Sequence, residues 1–271
     1  MQKDSLGDRM KINYENIERR YLMRRMPTII RVDGKAFHTF TKGFERPFDD
    51  VFINSMWEAA VYLCENVQGC KMAYMQSDEI SLLLTDYDSL DTQAWFDKNI
   101  VKMISVSASM ATMAFNNAFI TRAGQHIFHH RNIPDDERAV FNNRIKVAGT
   151  AMFDSRVFNI PKEEVCNYFI WRQQDATRNA IQMLGQAHFT HKQLHEKDQN
   201  EIQEMLWQEK QINFNDLPAY LKRGASVIKE TYEKDGAERT RWVVDKDMLI
   251  LTQDRRYVER FVYPISDDEE A

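Results

Sequence analysis

The chain has 271 residues, of which 43% are hydrophobic and 28% are charged, so it can bury one large core or a core with one elaboration. It contains no uninterrupted run of about 18 apolar residues, and its first residues are polar and charged, so we expect no membrane-spanning helix, no secretory signal and a cytoplasmic location. Its three cysteines form no CxxC pair. This argues against a disulfide framework or a zinc site, and we expect Cys64 and Cys166 to pack as core residues.

The net charge of −5 argues against a nucleic-acid partner, but the charges are unevenly distributed. Much of the negative charge belongs to an acidic tail at 265–271. The basic residues cluster in two places, at Arg19, Arg20, Arg24 and Arg25, and at Arg122, His126, His129, His130 and Arg131. A phosphate backbone needs only a local positive patch. Because most such clusters are ordinary solvated faces, they do not predict RNA binding by themselves.

The N-terminal third predicts a helix, a strand and a second helix. Residues 13–25 have the composition of a short charged helix, and TIIRVDG, residues 28–34, is rich in branched residues and ends in glycine, which is typical of a strand. A loop follows. Asp49 and Asp50 then suit the N-terminus of a helix, whose apolar spacing predicts that it runs over 51–67.

The middle of the chain predicts a hairpin, a long helix and a further strand. MAYMQ, residues 72–76, and ISLLL, residues 80–84, are separated by a short gap, which favours an antiparallel hairpin. A helix rich in small residues is predicted over 92–119. Residues 120–150 have the pattern of an irregular, partly basic connection, and 151–161 that of a strand.

The C-terminal part predicts helices over 163–187 and 191–210, followed by a hairpin within 226–245 that turns at Asp235-Gly236. This order of elements predicts an α+β fold, in which an antiparallel sheet carries helices on one face and a helical and hairpin elaboration follows.

Two acidic residues at strand ends are the sharpest chemical feature. Asp33 ends the first strand, and Asp78 lies between the strands of the hairpin. A buried, unpaired carboxylate is costly, and two of them at adjacent strand ends could share magnesium ions. Gly34 could offer its carbonyl to a metal, Ser77 could contact a phosphate, and Glu79 could bind or orient a ligand. However, VDG is also a common strand ending and SDE is a weak signal, so spacing alone leaves the metal site open.

Other residues near these acids allow weaker interpretations. Lys35 and Arg46 could bind phosphate, although most loop cations are merely solvated. His38 follows Phe37 and is by type more often a packed histidine than a base. The sequence has no GxxxxGK[ST] loop and no GxSxG elbow, which excludes a P-loop enzyme and an α/β-hydrolase of the usual kind.

Four segments occur in an order and spacing that resemble the tRNA-His guanylyltransferase family and its tRNA-repair relatives. They are RVDGKAFHTFTKGFERPFDD, YMQSDEISLLL, FDSRVFNIP and WRQQDATRNAIQ. The family pattern DG-[RK]-x-F-H-x-F begins at Asp33-Gly34-Lys35, a [KR]-P-x-D stretch begins at Arg46, and SDE is Ser77-Asp78-Glu79. The resemblance covers roughly residues 28–230.

The resemblance implies a ferredoxin-like sheet similar to the palm of polymerases, in a catalytic domain at 1–160 followed by a helical and hairpin C-terminal region at 161–271. It implies two Mg²⁺ ions held by Asp33, Asp78 and the carbonyl of Gly34, with Asp33, Asp78 and Glu79 as the catalytic acids. The residues that it implies for nucleotide binding are Asp33, Gly34, Lys35, Ala36, Phe37, His38, Arg46, Ser77, Asp78 and, by a loose match, Lys210.

The implied partners are tRNA, ATP, and GTP or other nucleoside triphosphates, and the implied assembly is a homotetramer. In the implied reaction, ATP adenylylates the 5′-phosphate of a tRNA, and the 3′-hydroxyl of an incoming nucleotide displaces AMP. Members dedicated to tRNA-His carry HINNLYN after WRQxDC. Here the residues after Asp175 read ATRNAIQM and keep only Asn179. This departure favours the repair branch, which copies the opposite strand of the acceptor stem.

Three alternatives remain at this point. The first is a strict tRNA-His guanylyltransferase that adds an untemplated guanosine. The second is a palm-fold nucleotide cyclase, although the sequence lacks a GG[DE]EF run. The third is a non-catalytic RNA-binding protein, whose RNA affinity would not depend on Asp33 or Asp78.

Overall fold

The computed structural model describes residues 5–129 and 135–263, without the side chains of residues 126–136. The predicted basic cluster at His126, His129, His130 and Arg131 and the acidic tail at 265–271 therefore lie outside the described side chains.

One antiparallel sheet of six strands organises the chain, in the order β4-β1-β3-β2-β5-β6. The strands are β1 (Thr28–Gly34), β2 (Cys70–Gln76), β3 (Glu79–Leu84), β4 (Phe153–Asn159), β5 (Ala225–Lys234) and β6 (Ala237–Asp245). The first four strands, with the helices between them, form a split β-α-β arrangement of the ferredoxin type. The C-terminal hairpin β5–β6 continues this sheet through pairing of β5 with β2.

Helices occupy most of the remaining described chain. They are α1 (Leu6–Met10), α2 (Phe37–Phe40), α3 (Asp50–Asn66), α4 (Ile100–His129), α5 (Asp135–Val147), α6 (Lys162–His188), α7 (His191–Leu194), α8 (Gln199–Lys210), α9 (Ala219–Arg223) and α10 (Arg256–Glu259). A π-helical turn (Lys11–Glu15) and two 3₁₀ turns (Trp95–Lys98 and Phe214–Asp216) complete the set.

The alternation of side chains along β1 explains how the sheet is covered. Ile30 and Val32 point into a core built with α3 and α4, whereas Ile29 joins a second core with α6 and the segment 248–262. The helices that connect the first four strands therefore lie on one face, and the C-terminal elaboration covers the other. This second layer places α6 against the strand ends that carry the predicted acids.

Helix α4 is the most apolar long helix of the fold. By length and composition alone its segment Ile100–Gln125, with a mean hydropathy of 1.2, could cross a membrane. In the fold it packs against α3, β4 and β1. Phe115 and Phe119 lie fully buried on its inner face.

Two predictions in the connecting segments are wrong. The predicted helix at 13–25 stops at Glu15, because the backbone of the following segment pairs elsewhere: Leu22 N–H donates to the carbonyl of Lys98, and Arg20 accepts from Ile100 N–H. The predicted irregular connection at 120–150 is mostly helical, since α4 runs on to His129 and α5 follows.

The main elements agree with the sequence prediction. Strand β1 has the predicted bounds, the two hairpins form, and α3 is capped by Asp49, whose side chain accepts from Phe52 N–H. Helix α4 begins at Ile100, eight residues later than predicted. Cys64 and Cys166 are buried and free, as expected.

Candidate active site

The end of β1 and the turn of the β2–β3 hairpin meet at one edge of the sheet. Asp33 lies opposite Glu79 in the antiparallel register, and Gly34 N–H donates to the backbone carbonyl of Asp78 at 3.1 Å. Ser77 turns the chain with a positive φ of 47°. The fold thus brings Asp33, Gly34 and Asp78 together from positions about 45 residues apart in the chain.

Gly34 is required for this close approach. A Cβ atom built on it would lie 2.8 Å from Oδ2 of Asp78 and 2.3 Å from the ring of Phe37. Because side chains do not tolerate such contacts, only glycine lets the Asp78 carboxylate lie directly over the end of β1.

Asp78 carries a charge that the protein leaves uncompensated. Burial raises the pKa of its carboxyl above the ordinary value, and the neighbouring charge of Asp33 raises it further, although hydrogen bonds from the Asp78 backbone and from Ser77 oppose the shift. Among the described residues, no basic side chain lies within 4 Å of it. A partly buried carboxylate of this kind is stabilised by a cation.

The donor set fits Mg²⁺, since it consists of two carboxylates and the carbonyl of Gly34, all hard oxygen ligands. Within the described part of the chain there is no cluster of three or more His, Cys, Asp or Glu side chains suited to a metal. A magnesium site at Asp33 and Asp78 would therefore complete its coordination with waters or substrate phosphates.

Asp33, unlike Asp78, has basic neighbours within 4 Å. Its Oδ2 lies 3.3 Å from a terminal nitrogen of Arg31 and 3.8 Å from one of Arg156. Arg31 is held in turn by Glu79, at 3.2 Å from Nε to Oε2. The two arginines therefore border the metal position with positive charge, which suits phosphate groups.

Glu79 has a different environment from Asp78 although it is the next residue. Arg172 of α6 binds its carboxylate through two parallel contacts of 2.8 and 3.0 Å, and Arg31 adds a third. Burial raises the pKa of the Glu79 carboxyl while both arginines lower it. With its oxygens committed to arginines, Glu79 is placed to orient Arg31 and α6 rather than to bind a metal.

A cleft of about 560 Å³ opens beside Gly34 and Asp78, although Asp33 does not line it, and this volume is within the range of small-molecule sites. Its walls come from β1, the loop before α3, the hairpin turn and α6. Seven of the sequence-predicted site residues line it: Gly34, Ala36, Phe37, His38, Arg46, Ser77 and Asp78.

The other predicted contacts are placed less directly. The backbone N–H of Lys35 donates to the carbonyl of Met152 at 2.9 Å, and its side chain is exposed outside the cleft. Lys210 ends α8 and lies 5.4 Å above the ring of Phe189, also outside the cleft. His38, which residue type alone suggested to be packed, is exposed at the cleft wall.

Sequence reasoning missed the arginines Arg31, Arg156 and Arg172 that surround the acids. The sequence contained features that could have pointed to them. Arg31 lies two residues before Asp33, which is one repeat of a strand, and Arg156 and Arg172 belong to the FDSR and WRQ segments. Without the register of β1 with β4 and the packing of α6, nothing tied them to the acids.

The model of the family described as Thg1, tRNAHis guanylyltransferase, matches residues 7–161, more than half of the chain. This chain belongs to the tRNAHis guanylyltransferase family. It is therefore a nucleotidyltransferase, and tRNA is the class of substrate on which the family acts.

Solved structures extend the similarity to nearly the whole chain. A bacterial tRNA(His) guanylyltransferase-like protein in complex with ATP is 47% identical, with a TM-score of 0.80 over 96% of this chain and 99% of that chain. A second structure, with GTP, is 45% identical and has a TM-score of 0.75 over 96% and 100%. The probable tRNA(His) guanylyltransferase of Drosophila melanogaster is 28% identical over 74% of this chain and 66% of the fly protein. These matches confirm the palm-like α+β class.

Proposed function

We propose that this enzyme repairs the 5′ end of tRNA by template-dependent addition of nucleotides in the 3′-to-5′ direction. The observation that carries this proposal is that Asp33, Gly34 and Asp78 meet at one edge of the sheet, where Gly34 and Asp78 line a cleft large enough for a nucleoside triphosphate. The bacterial relatives solved with ATP and with GTP support these nucleotides as the substrates.

Several groups that line the cleft suit a triphosphate. Arg46 lies in its wall, and the backbone turns sharply at Ala36, with a φ of 55°, where the chain leaves β1. Ser77, in the hairpin turn, also lines the cleft. These groups would bind and orient the phosphates beside the two aspartates.

Asp33, Asp78 and the Gly34 carbonyl would hold two Mg²⁺ ions. When bound there, magnesium would lower the pKa of the attacking hydroxyl and neutralise charge on the leaving group. The tRNA 5′-phosphate is first adenylylated with ATP, which releases pyrophosphate. In the second step a bond forms between the 3′-oxygen of the incoming nucleotide and the 5′-phosphorus, the bond to AMP breaks, and the hydroxyl proton passes to solvent.

The preference for repair rests on α6. Ala176, Asn179, Ala180 and Met183 lie on one face of this helix and line a cavity of about 100 Å³ that shares Ser77 and Asp49 with the main cleft. Ala180 and Met183 are positions where the HINNLYN pattern is lost, whereas Asn179 keeps it and Ala176 replaces the cysteine before it. Because the changed residues adjoin the nucleotide cleft, they bear on substrate recognition, and they favour templated addition over a tRNA-His-specific guanosine.

The test is extension of tRNAs that lack their first nucleotide, with each of the four opposing bases and each nucleotide supplied in turn. We expect incorporation of the complementary nucleotide in every case. Guanosine added against every opposing base would instead establish untemplated addition. Turnover of GTP or ATP without RNA would indicate a cyclase. A 5′-triphosphorylated tRNA separates the steps, since its extension needs no ATP activation.

We also propose that the enzyme works as a homotetramer, as its family resemblance implies, and that it does so in the cytoplasm, as expected from its polar N-terminus. Light scattering of the purified chain would test the assembly, and a monomer at micromolar concentration would contradict it.

A further inference from the structure

Arg156 is an exposed arginine beside the catalytic acids. It lies on the edge strand β4, where its side chain is 57% exposed and a terminal guanidinium nitrogen lies 3.8 Å from Oδ2 of Asp33. It faces Arg31 across the β1–β4 register, and Asp154, two residues earlier on the same face, faces Asp33. Arg31 is bound to Glu79, whereas the 3.8 Å contact with Asp33 is loose. Of the arginines at this edge, Arg156 is therefore the one whose side chain can contact a ligand outside the protein.

Trp171 provides an exposed aromatic surface on the same side of the sheet. Phe158, two residues after Arg156 on β4, contacts Tyr168 with centroids 5.8 Å apart, and Tyr168 contacts Trp171 at 5.9 Å. The Arg172 guanidinium lies 4.3 Å from the Trp171 centroid. Although one side of the ring is covered, 49% of Trp171 is exposed.

The surroundings hold Trp171 rigidly. Arg172, which stacks on it, is fixed by its two contacts with Glu79 and a third with Asp175 at 2.8 Å. Tyr168 is fixed by a hydrogen bond between its hydroxyl and that of Ser81 at 2.8 Å. A fixed, half-exposed indole loses little conformational entropy when a flat ligand stacks on it.

We infer that Trp171 and Arg156 form the docking point for the 5′-terminal nucleotide of the RNA, an assignment that rests on the proposed function. The nucleoside triphosphate occupies the cleft on the α3 side of the acids, whose walls include neither residue. The second substrate must reach the same acids from another side, where Trp171 of α6 supplies a stacking surface and Arg156 of β4 supplies a cation. Trp171 stacks on the terminal base, and Arg156 contacts its phosphate.

The chain offers matched controls for both side chains. Trp207 on α8 is 52% exposed, a value similar to the 49% of Trp171, and it lies in a different part of the fold. Arg241 lies on the other edge strand, β6, and its side chain is 59% exposed, a value similar to the 57% of Arg156. Trp207→Ala and Arg241→Ala therefore remove the same chemistry from similarly exposed positions.

The experiment measures binding of a 3′-labelled acceptor-stem RNA by fluorescence anisotropy, with neither nucleotide nor magnesium present. We expect Trp171→Ala to weaken binding about 10-fold, as for loss of one base stack, and Trp171→Phe to restore most of it. Arg156→Ala should weaken binding several-fold and lower the salt dependence by about one phosphate contact. Both control variants should bind like the wild type.

An RNA that is abasic at its 5′-terminal position tests the stacking partner. The wild type should lose about as much affinity for this RNA as Trp171→Ala loses for the intact one, and Trp171→Ala should lose little more. Independent, additive losses would overturn the assignment. An equal loss of ATP affinity in Trp171→Ala and Arg156→Ala would also overturn it, because the surface would then bind the nucleoside triphosphate rather than the RNA.

The inference and the proposed function can fail separately. If the wild type does not extend any truncated tRNA, the proposed function fails. If it does extend them, and Trp171→Ala and Arg156→Ala bind RNA normally and keep the wild-type KM for tRNA, the docking point is wrong.

Discussion

Each end of the central strands holds a carboxylate that is at least partly buried, and the two have opposite surroundings. At the far end, Asp86 follows β3 and is 4% exposed. Its Oδ1 lies 3.2 Å from the buried ammonium of Lys98, and both of its oxygens accept from Arg25 N–H at 3.0 Å. At the near end, Asp78 contacts no cation of the described chain, and Asp33 adds a second negative charge beside it.

The difference separates a structural carboxylate from one kept for a ligand. The fold supplies Asp86 with its own counter-charge, even though burial lowers the pKa of the Lys98 amine. It supplies Asp78 with none, and it keeps Gly34 where a side chain would displace the carboxylate. A protein tolerates such an arrangement where a bound cation offsets the cost.

The largest expected effect concerns activity at the near end. Asp78→Asn and Asp33→Asn each remove one ligand of the proposed magnesium site, so we expect nucleotide addition to fall by about 1,000-fold or more. Labelled nucleotide incorporation measures this loss. Since Asp78→Asn removes an uncompensated charge, its melting temperature should not fall. Incorporation by either variant at the wild-type rate would contradict the account.

The equivalent change at the far end should affect stability instead. Asp86→Asn leaves the Lys98 ammonium buried without its partner, so we expect a loss of about 3 kcal/mol in the free energy of unfolding. Urea denaturation measures it. Activity per folded molecule should stay normal at a temperature where the variant is folded. A loss of activity in the folded variant would contradict a purely structural role for Asp86.

A smaller, pH-dependent effect is expected at Asp175 on α6. Burial raises the pKa of its carboxyl, but the hydrogen bond from Gln76 and the charges of Arg172 and Arg178 outweigh it, so the pKa lies below its ordinary value. A lowered folded pKa stabilises the protein above the unfolded pKa, about 3.9, and this contribution is lost as the pH falls through the folded value.

Asp175→Asn should therefore cost about 1–2 kcal/mol at pH 7. The difference from the wild type should shrink towards pH 3, as measured by urea unfolding across that range. A difference that stays constant with pH would show that packing, rather than charge, accounts for the loss.

Local chemistry at the strand ends could be predicted from the sequence. Branched residues followed by Asp33-Gly34, and two short apolar runs around Ser77-Asp78, indicated a strand end and a hairpin turn, and the fold places them at one edge. The register between strands was not predictable, so the pairing of Asp33 with Glu79 and the approach of Arg156 were missed.

Tertiary pairing decided the other differences. The segment after Glu15 has helical composition, but its backbone bonds to residues 98–100 instead. Glu79 has the same chemistry as Asp78 in the sequence. Contacts with Arg172 of α6, 93 residues later in the chain, and with Arg31 of β1 separate the role of Glu79 from that of Asp78.

The central claim is that Asp78 is kept unpaired to hold a divalent cation. The most direct test is the melting temperature of the wild type and of Asp78→Asn during titration with Mg²⁺ or Mn²⁺, without nucleotide or RNA. The account predicts a saturable rise for the wild type, worth about 2.7 kcal/mol at 100 times the dissociation constant, and no rise for the variant. An equal rise in both proteins, or none in either, would contradict it.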